Sequence, residues 1–388
     1  MSALRILVAH NVPAQRTGGM SRIMGFIHDR LAEHGHHVDY FTANDVPANW
    51  QSSAGRRLGF PLLVRHAAVA ASRSGHPYDI VNIHEPHGLP ITIGRASAGF
   101  PSVFVTSHGL ERRAWTLAQE EARLGRATIG TRTRLTYPLT SLWPAAMGLR
   151  RADHVFCLNS EDRDYLMRHF GRTSGSVTRI FPGADHIYAS HMRTYERSSR
   201  ILFAASWRDN KGIADLVPAF VRLTERDAAV TLTVVGSGVP DEIVLGRFPA
   251  SLQKRISLET PSTEAGMAAV FAGADIFLLP SLFEGTPLTL TQAMMSGLPI
   301  VTTATCGMRD VISDRGTGLL IPIRRPDAIV SAVETLIADR GLRERLGRAA
   351  RAAALANYTW DLVAQPIEDA YLRVRGEAAG KSAGKAAA

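Results

Sequence analysis

The sequence predicts an α/β protein with two domains, each built on a doubly wound parallel β-sheet. Short apolar runs, typical of buried strands, alternate with amphipathic helical segments in two successive series. A length of 388 residues exceeds what one hydrophobic core usually supports. Between the two series, residues 186–199 lose hydrophobic periodicity, so we predict an interdomain linker there.

Each series contains six predicted strands. The first six lie near 4–9, 37–41, 79–83, 102–106, 153–157 and 177–180, and the second six near 200–205, 230–235, 255–258, 275–279, 299–302 and 318–321. We therefore predict an N-terminal domain over 1–185 and a C-terminal domain over 200–358. A further helix is predicted over 359–375, and the Ala/Gly/Lys-rich tail 376–388 is predicted to be disordered.

The composition favours a cytoplasmic protein. Two cysteines, Cys157 and Cys306, provide no disulfide framework and fit a reducing compartment. The first apolar run is short and is predicted to be a strand, so we expect no signal peptide. No apolar run approaches the ~18 residues that a membrane span needs.

The most informative segment runs from Phe277 to Val301 and predicts a strand, a tight turn and a helix. The turn contains Glu284 and Gly285, and Pro287 is predicted to be the first residue of a helix that ends near Ser296. Free N–H groups at a helix start attract phosphate, and the Glu284 carboxylate can accept hydrogen bonds from sugar hydroxyls. The segment therefore predicts a site for an activated sugar nucleotide.

Basic residues follow the strand that begins the second series. Arg208 and Lys211 lie in a polar turn before a helix that opens at Gly212. The chain has 40 Arg but only four Lys, so a lysine in this turn runs against a strong compositional bias. Both side chains are candidates for neutralising a phosphate leaving group.

In the first series, glycines and histidines occupy the strand ends, where open parallel sheets bind ligands. Gly18 and Gly19 precede a helix, and glycines there allow close backbone approach to a ligand. His84 and Glu85 follow the third strand, and His108 follows the fourth. The alternative of a metal site at 34–37 is disfavoured, because that stretch has the pattern of a glycine-terminated helix followed by a strand.

These motifs resemble those of the family four glycosyltransferases, which are retaining enzymes with the GT-B fold of two Rossmann-like domains facing across a cleft. The resemblance covers most of the chain and is strongest over 200–322. The family signature has two glutamates eight residues apart; the first falls on Glu284, whereas Gln292 occupies the second position. The usual basic pair places an arginine five residues before the lysine, where this chain has Ser206.

The resemblance assigns roles to these positions. Glu284, Arg208, Lys211 and His108 are the implied catalytic residues, and Gln292 is implied to hold the nucleotide ribose. His84 and Glu85 are implied to lie on the acceptor side. The remaining implied donor-binding residues are Gly18, Gly19, Gly285, Thr286, Leu288 and Thr289.

The implied function is transfer of a sugar from a nucleoside diphosphate sugar to a hydroxyl acceptor, for which a lipid-linked molecule and a growing glycan are two candidates. The family pattern implies no metal and no organic cofactor. Two alternatives stay open: a sugar-nucleotide-binding protein with little catalysis, suggested by Gln292 and the position of Arg208, and a sugar-nucleotide epimerase of the same fold. A nicotinamide dehydrogenase is disfavoured, since the GxGxxG fingerprint is missing.

The charge is uneven, with +7 over 1–185 and +2 over 186–388. Residues 111–151 contain eight arginines and three glutamates, interleaved with Trp115, Tyr137 and Trp143. Arginines beside aromatic side chains favour binding to an anionic membrane surface. A solvated basic surface is the alternative, and nucleic acid is not predicted because no reader motif is present.

Overall fold

The computed structural model describes residues 3–13, 19–93 and 100–386. Contacts divide the chain into two compact units. The first unit comprises 1–116, 129–181 and 360–388, and the second comprises 117–128 and 182–359. No helix in the described ranges is both long enough and apolar enough to span a membrane.

The first unit is built on a six-stranded parallel sheet in the order β2-β1-β3-β4-β5-β6. The central strands β3, β4 and β5 are buried along their whole length, and the edge strand β2 is partly exposed. Burial on both faces explains why the central strands are predominantly apolar in the sequence, and the buried polar pair Thr106 and Asn82 is hydrogen-bonded at 2.7 Å. The strands are β1 (Arg5–His10), β2 (His37–Thr42), β3 (Ile80–His84), β4 (Ser102–Thr106), β5 (His154–Cys157) and β6 (Val177–Arg179).

The second unit repeats this plan with a parallel sheet in the order β12-β11-β10-β7-β8-β9. The strands are β7 (Arg200–Ala204), β8 (Thr231–Val235), β9 (Ile256–Glu259), β10 (Ile276–Leu279), β11 (Ile300–Thr303) and β12 (Leu319–Ile321). Every predicted strand is present in the described residues within two positions at each end. The predicted fold class is therefore confirmed at the level of both sheets.

Helices connect the strands of both sheets. In the described ranges they are α1 (Gly19–Glu33), α2 (Ser53–Arg73), α3 (Glu111–Arg123), α4 (Thr131–Tyr137), α5 (Trp143–Arg151), α6 (Ser160–Phe170), α7 (Ile213–Arg226), α8 (Asp241–Leu245), α9 (Glu264–Gly273), α10 (Leu288–Met295), α11 (Cys306–Val311), α12 (Pro326–Ala338), α13 (Arg340–Asn357) and α14 (Trp360–Ala386). Their ends follow capping rules: Asn159 caps α6 through the Asp162 N–H, and Gly171, at φ +67°, ends it.

Helix α14 packs within the first unit, against α1 and strands β4 and β6. Its Tyr371 is fully buried, accepts a 2.7 Å hydrogen bond from Asn82 and contacts the ring of Phe104 edge to face. The helix continues to Ala386, beyond the predicted end at 375. The alanines of the tail favour helix, so the described backbone over 376–386 is helical where the sequence predicted disorder.

The segment predicted as a linker lies in the second unit and is held there by arginines. Arg193 is partly buried and donates to the carbonyls of Phe271 and Ala274 at the end of α9. Burial lowers the pKa of Arg193 to about 10. Arg343 donates to the Tyr195 carbonyl at 2.8 Å. Arg193 thus satisfies backbone carbonyls that the end of α9 leaves open, and Arg343 satisfies a carbonyl of the loop before β7.

Candidate active site

Lys211 and Glu284 form an ion pair in the second unit, although they lie 73 positions apart. Lys211 follows β7, Glu284 follows β10, and these two strands are neighbours in the sheet. Glu284 Oε1 also accepts a 2.9 Å hydrogen bond from the Ser281 hydroxyl. The side chains are only 18% and 11% exposed, so this pair is weakly screened by water. The predicted phosphate-binding cation and sugar-binding carboxylate are therefore brought together.

Two glycines allow the loops around this pair to meet at backbone distance. Gly212 has φ +73°, and a Cβ there would lie 2.0 Å from the Pro280 carbonyl oxygen. A Cβ on Gly307 would lie 2.2 Å from the Gly285 oxygen, which accepts a 2.9 Å bond from the Gly307 N–H. No other residue type fits either position without moving the backbone.

Helix α10 begins immediately after this turn. Pro287 is its N-cap and not its first residue, because proline's fixed φ pairs here with an extended ψ of 129°. Pro287 supplies no side-chain cap, so the first N–H groups of the helix receive no hydrogen bond from the N-cap residue and can face an acceptor on a ligand. Thr286 and Leu288 are buried, and Thr289 is half-buried. Four of the predicted donor-binding residues thus lie at one helix start: Gly285, Thr286, Leu288 and Thr289.

Gln292 lies on α10 and is almost fully buried, at 2% exposure. Its Nε2 donates to the Tyr188 hydroxyl at 2.8 Å. Its Oε1 is buried and has no hydrogen-bond partner among the described residues. An unpaired buried carbonyl oxygen is costly, so this atom is a candidate acceptor for a ligand hydroxyl.

Arg208 lies at the edge of the site and is exposed. Its backbone N–H bonds to the Ser206 carbonyl, and its carbonyl accepts from the Lys211 N–H. The guanidinium makes no hydrogen bond or ion pair with any described residue. The side chain is therefore available to a ligand, while Ser206, at the usual family position, is half-buried.

In the first unit, the ends of β1, β3 and β4 bring three histidines together. His84 Nδ1 and His108 Nε2 are 3.2 Å apart, and the His10 ring lies 5.7 Å from the His84 ring. Burial holds the pKa of His84 well below its ordinary range and lowers the pKa of His108 to about 4. Both imidazoles are therefore neutral near pH 7. His84 Nε2 has no partner among the described residues.

Glu85 lies beside this pair in a second polar cluster. Its Oε1 accepts from the Glu111 N–H at 3.2 Å, whereas Oε2 is buried without a partner in the described part of the chain. Burial, and then repulsion by Glu111, raises the pKa of Glu85 to about 8. Tyr137 donates its hydroxyl proton to the Glu111 carboxylate. Near neutral pH, Glu85 is therefore protonated and can donate a hydrogen bond.

The other predicted positions have simpler outcomes. Gly18 lies outside the described residues, and Gly19 begins α1 with no atom within 4 Å of an added Cβ. His34 and His36 both bond to Glu368 on α14, at 2.7 and 3.0 Å. These contacts give both histidines a structural role within the first unit.

Part of the basic segment 111–151 is occupied by internal ion pairs. Arg113 pairs with Glu161 and the buried Asp162, and Arg126 bonds to Asp215 at 2.7 Å. These two arginines therefore belong to structural ion pairs and not to a free basic surface. Exposed basic and apolar side chains do remain in this segment: Arg112, Arg123, Arg132, Arg134, Leu135, Leu139 and Trp143.

The two parallel sheets, with a cation and carboxylate at the strand ends of the second, define the GT-B class of glycosyltransferase folds. A sucrose-phosphate synthase from Thermosynechococcus elongatus superposes with a TM-score of 0.77 at 19% identity, covering 96% of this chain and 100% of that one. WaaG, a glycosyltransferase involved in lipopolysaccharide biosynthesis, gives a TM-score of 0.69 at 19% identity over 95% of this chain and 99% of its own. The predicted GT-B fold is confirmed.

The chain belongs to the family four glycosyltransferases. The family profile described as Glycosyltransferase Family 4 matches residues 17–187, and that described as Glycosyl transferases group 1 matches residues 198–339. The phosphatidyl-myo-inositol mannosyltransferase of Mycobacterium tuberculosis is 25% identical over 88% of this chain and 86% of its own length. A D-inositol 3-phosphate glycosyltransferase of Corynebacterium glutamicum is 27% identical, and the match spans only 57% of each chain.

Several residues of the candidate site escaped the sequence analysis. His10 ends a strand, as His84 does, and that position is the sequence signal that identifies it as a candidate. Tyr188 and Glu264, which follow Gln292 in a chain of hydrogen bonds, lie 104 and 28 positions from that residue, and no local pattern links them. Gly307 matters only through its contact with Gly285, which a single sequence does not reveal.

Proposed function

We propose that this protein is a retaining glycosyltransferase that moves a sugar from a nucleoside diphosphate sugar to a hydroxyl acceptor. The observation that carries the proposal is the Lys211–Glu284 pair beside the uncapped start of α10. A cation and free N–H groups suit a diphosphate, and a carboxylate suits sugar hydroxyls. Membership of the family and the similarity to named mannosyl- and glycosyltransferases support the reaction class.

In the proposed mechanism, charge develops on the diphosphate as the glycosidic bond breaks. Lys211 and Arg208 stabilise that charge, and we propose that they supply what a metal ion provides in other transferases. Glu284 orients the sugar by accepting hydrogen bonds from its hydroxyls. Gln292 accepts a hydrogen bond from the nucleotide ribose through its unpaired Oε1.

We assign the acceptor to the two polar clusters at the strand ends of the first unit, which contain His84 with His108 and Glu85 with Glu111. Neutral imidazoles and a protonated carboxyl both donate and accept hydrogen bonds, which matches a hydroxyl group. Such clusters lack the positive charge that a phosphate group requires. An uncharged hydroxyl of a glycan or of a lipid-linked sugar is therefore the proposed acceptor group.

We also propose that the protein works in the cytoplasm, at the surface of an anionic membrane. Both cysteines are buried and free, which suits a reducing compartment. Leu135 and Leu139 are 71% and 73% exposed, next to the exposed Arg132 and Arg134. Apolar side chains flanked by arginines fit an interface with anionic headgroups.

Turnover with a panel of nucleoside diphosphate sugars tests the reaction. Release of the nucleoside diphosphate with transfer to an added glycan or lipid-linked sugar, and with the α or β configuration of the donor kept in the product, is expected. Interconversion of donor sugars without an acceptor would instead identify an epimerase. Donor binding without turnover across the panel would identify a binding protein.

Vesicle co-sedimentation tests the membrane proposal. Binding to phosphatidylglycerol vesicles, absent with neutral lipid and reduced by added salt, is expected. Replacing Arg112, Arg123, Arg132 and Arg134 with Ser should weaken it. A matched control changes the ion-paired Arg113 alone, which should leave lipid binding intact. Vesicle binding that ignores lipid charge would contradict the proposal.

A further inference from the structure

The amide of Gln292 is the first member of a chain of hydrogen bonds in the second unit. Gln292 Nε2 contacts the Tyr188 hydroxyl at 2.8 Å, and that hydroxyl contacts Glu264 Oε2 at 2.7 Å. We call these three residues the Gln292–Tyr188–Glu264 relay. Tyr188 is 3% exposed and packs edge to face on Phe271, so its ring is fixed.

The direction of the hydrogen bonds in the relay follows from counting protons. A tyrosine hydroxyl has one proton to donate, and a carboxylate only accepts. The Tyr188 proton therefore goes to Glu264, and the Tyr188 oxygen must accept from Gln292. This requirement places the Gln292 NH₂ group toward Tyr188 and settles which way the amide is turned.

The consequence lies on the other side of the amide. With Nε2 committed to Tyr188, Gln292 Oε1 is directed away from the relay, and it is buried without a partner among the described residues. The buried group of Gln292 that still needs a hydrogen-bond partner is therefore an acceptor. A ribose hydroxyl is a donor that fits this oxygen.

Resting on the proposed function, we infer that Tyr188 and Glu264 are positioning residues that set the ribose preference of the donor site by fixing the amide of Gln292. The carboxylate that is missing at position 292 is present at position 264. It acts through Tyr188 instead of touching the nucleotide.

The test measures ribose preference, which a merely structural role would not change. Calorimetric titration of the full chain with ADP, GDP and UDP, and with the 2′-deoxy and 3′-deoxy forms of each, gives the ratio of ribo to deoxy affinity. The native chain should prefer one ribo form by about threefold to tenfold, the range of a single neutral hydrogen bond.

Two variants loosen the relay. Tyr188→Phe removes the hydroxyl but keeps the ring on Phe271, so the amide can rotate and the ratio should fall to near one. Affinity for the deoxy form should stay within about twofold, because the base and diphosphate contacts are untouched. Glu264→Gln no longer enforces the direction of the Tyr188 proton, so its ratio should lie between those of Tyr188→Phe and the native chain.

A compensating double variant gives the most specific test, because it should restore the ribo preference. In Gln292→Glu combined with Glu264→Gln, the new carboxylate accepts the Tyr188 proton and still has an oxygen for the ribose. The ribo preference should return to the native level or exceed it. Glu242→Gln, on the exposed helix α8, serves as the matched control and should leave the ratio unchanged.

The outcomes separate the two proposals. Equal ribo and deoxy affinities in the native chain, or a native ratio in both Tyr188→Phe and Glu264→Gln, would overturn the relay and leave the glycosyltransferase proposal standing. Failure of the native chain to bind any of the three nucleoside diphosphates, with no turnover of their sugars, would overturn the proposed function and the relay with it. Should Tyr188→Phe not fold, the Glu264→Gln and double variants decide.

Discussion

Replacing Gly212 with alanine tests how the loops after β7 and β10 hold the candidate site together. The added Cβ would lie 2.0 Å from the Pro280 carbonyl oxygen, and contacts below 3.0 Å essentially do not occur. The two loops must therefore separate by about 1 Å. Alanine must also adopt φ +73°, which an L side chain rarely does.

These two effects set the expected magnitude. The left-handed backbone costs about 1 kcal/mol for alanine, and forced overpacking adds about 1 to 3 kcal/mol. Gly236→Ala is a matched control, because Gly236 has φ +67° but nothing within 4 Å of its added Cβ. We expect Gly212→Ala to destabilise the protein by about 2 to 4 kcal/mol and Gly236→Ala by about 1 kcal/mol.

Urea unfolding followed by circular dichroism measures the stability of both variants, and turnover of the donor reports on the site. Separation of the loops pulls Lys211 away from Glu284, so Gly212→Ala should also lose at least about tenfold in kcat under conditions where it is folded. Gly236→Ala should keep native turnover. If both variants lose the same stability and both stay active, the close approach at Pro280 is not what organises the site.

Lys211→Ala should lower kcat by about 10²-fold, because the charge that develops on the phosphate loses its partner. Lys254→Ala, at an exposed position, should leave kcat unchanged in the same steady-state assay. Near-native activity of Lys211→Ala would remove Lys211 from the mechanism. Glu284→Gln should weaken binding of the full donor more than binding of the free nucleoside diphosphate, whereas Gln292→Ala should weaken binding of both ligands. Calorimetric titration measures the four affinities. If the two variants affect both ligands equally, the proposed division of roles is wrong. For Glu85, burial raises the pKa from 4.5 in the unfolded chain to about 8 in the folded protein, so the fold favours the protonated carboxyl. The stability that Glu85 contributes is therefore fully present below pH 4.5 and is lost as the pH rises through about 8. Glu85→Gln should therefore gain stability relative to the native protein across that window in urea unfolding, and a difference that is independent of pH would refute the assignment.

Sequence patterns were sufficient for the architecture because burial determines composition. Strands such as β3 and β4 are buried at every position, so they are short, predominantly apolar segments bounded by polar loops. Lys211 and Glu284 were each predicted to follow a strand of the second sheet, and such loops meet at one edge of a parallel sheet, but the ion pair between them was not predicted.

The remaining features depend on contacts between distant positions. Helix α14 extends past Arg375 because alanine favours helix. The Ala/Gly/Lys-rich composition of the same residues had led us to predict disorder. The ion pairs of Arg113 and Arg126 reduce the free charge of a segment that looked uniformly basic. Tyr188 contacts the candidate site only through its hydroxyl, which bonds to Gln292. Neither the hydrophobic periodicity of the sequence nor a known motif identifies such a residue.

The return of α14 to the first unit has a consequence for synthesis. Strand β6 ends at Arg179 and α14 begins at Trp360, so the second unit is made almost entirely between the two parts of the first. At a typical elongation rate, about 10 to 35 s pass before Tyr371 can cover Phe104 and Phe156. During that interval the nascent chain exposes an apolar sheet face, and the second unit can complete its core before the first.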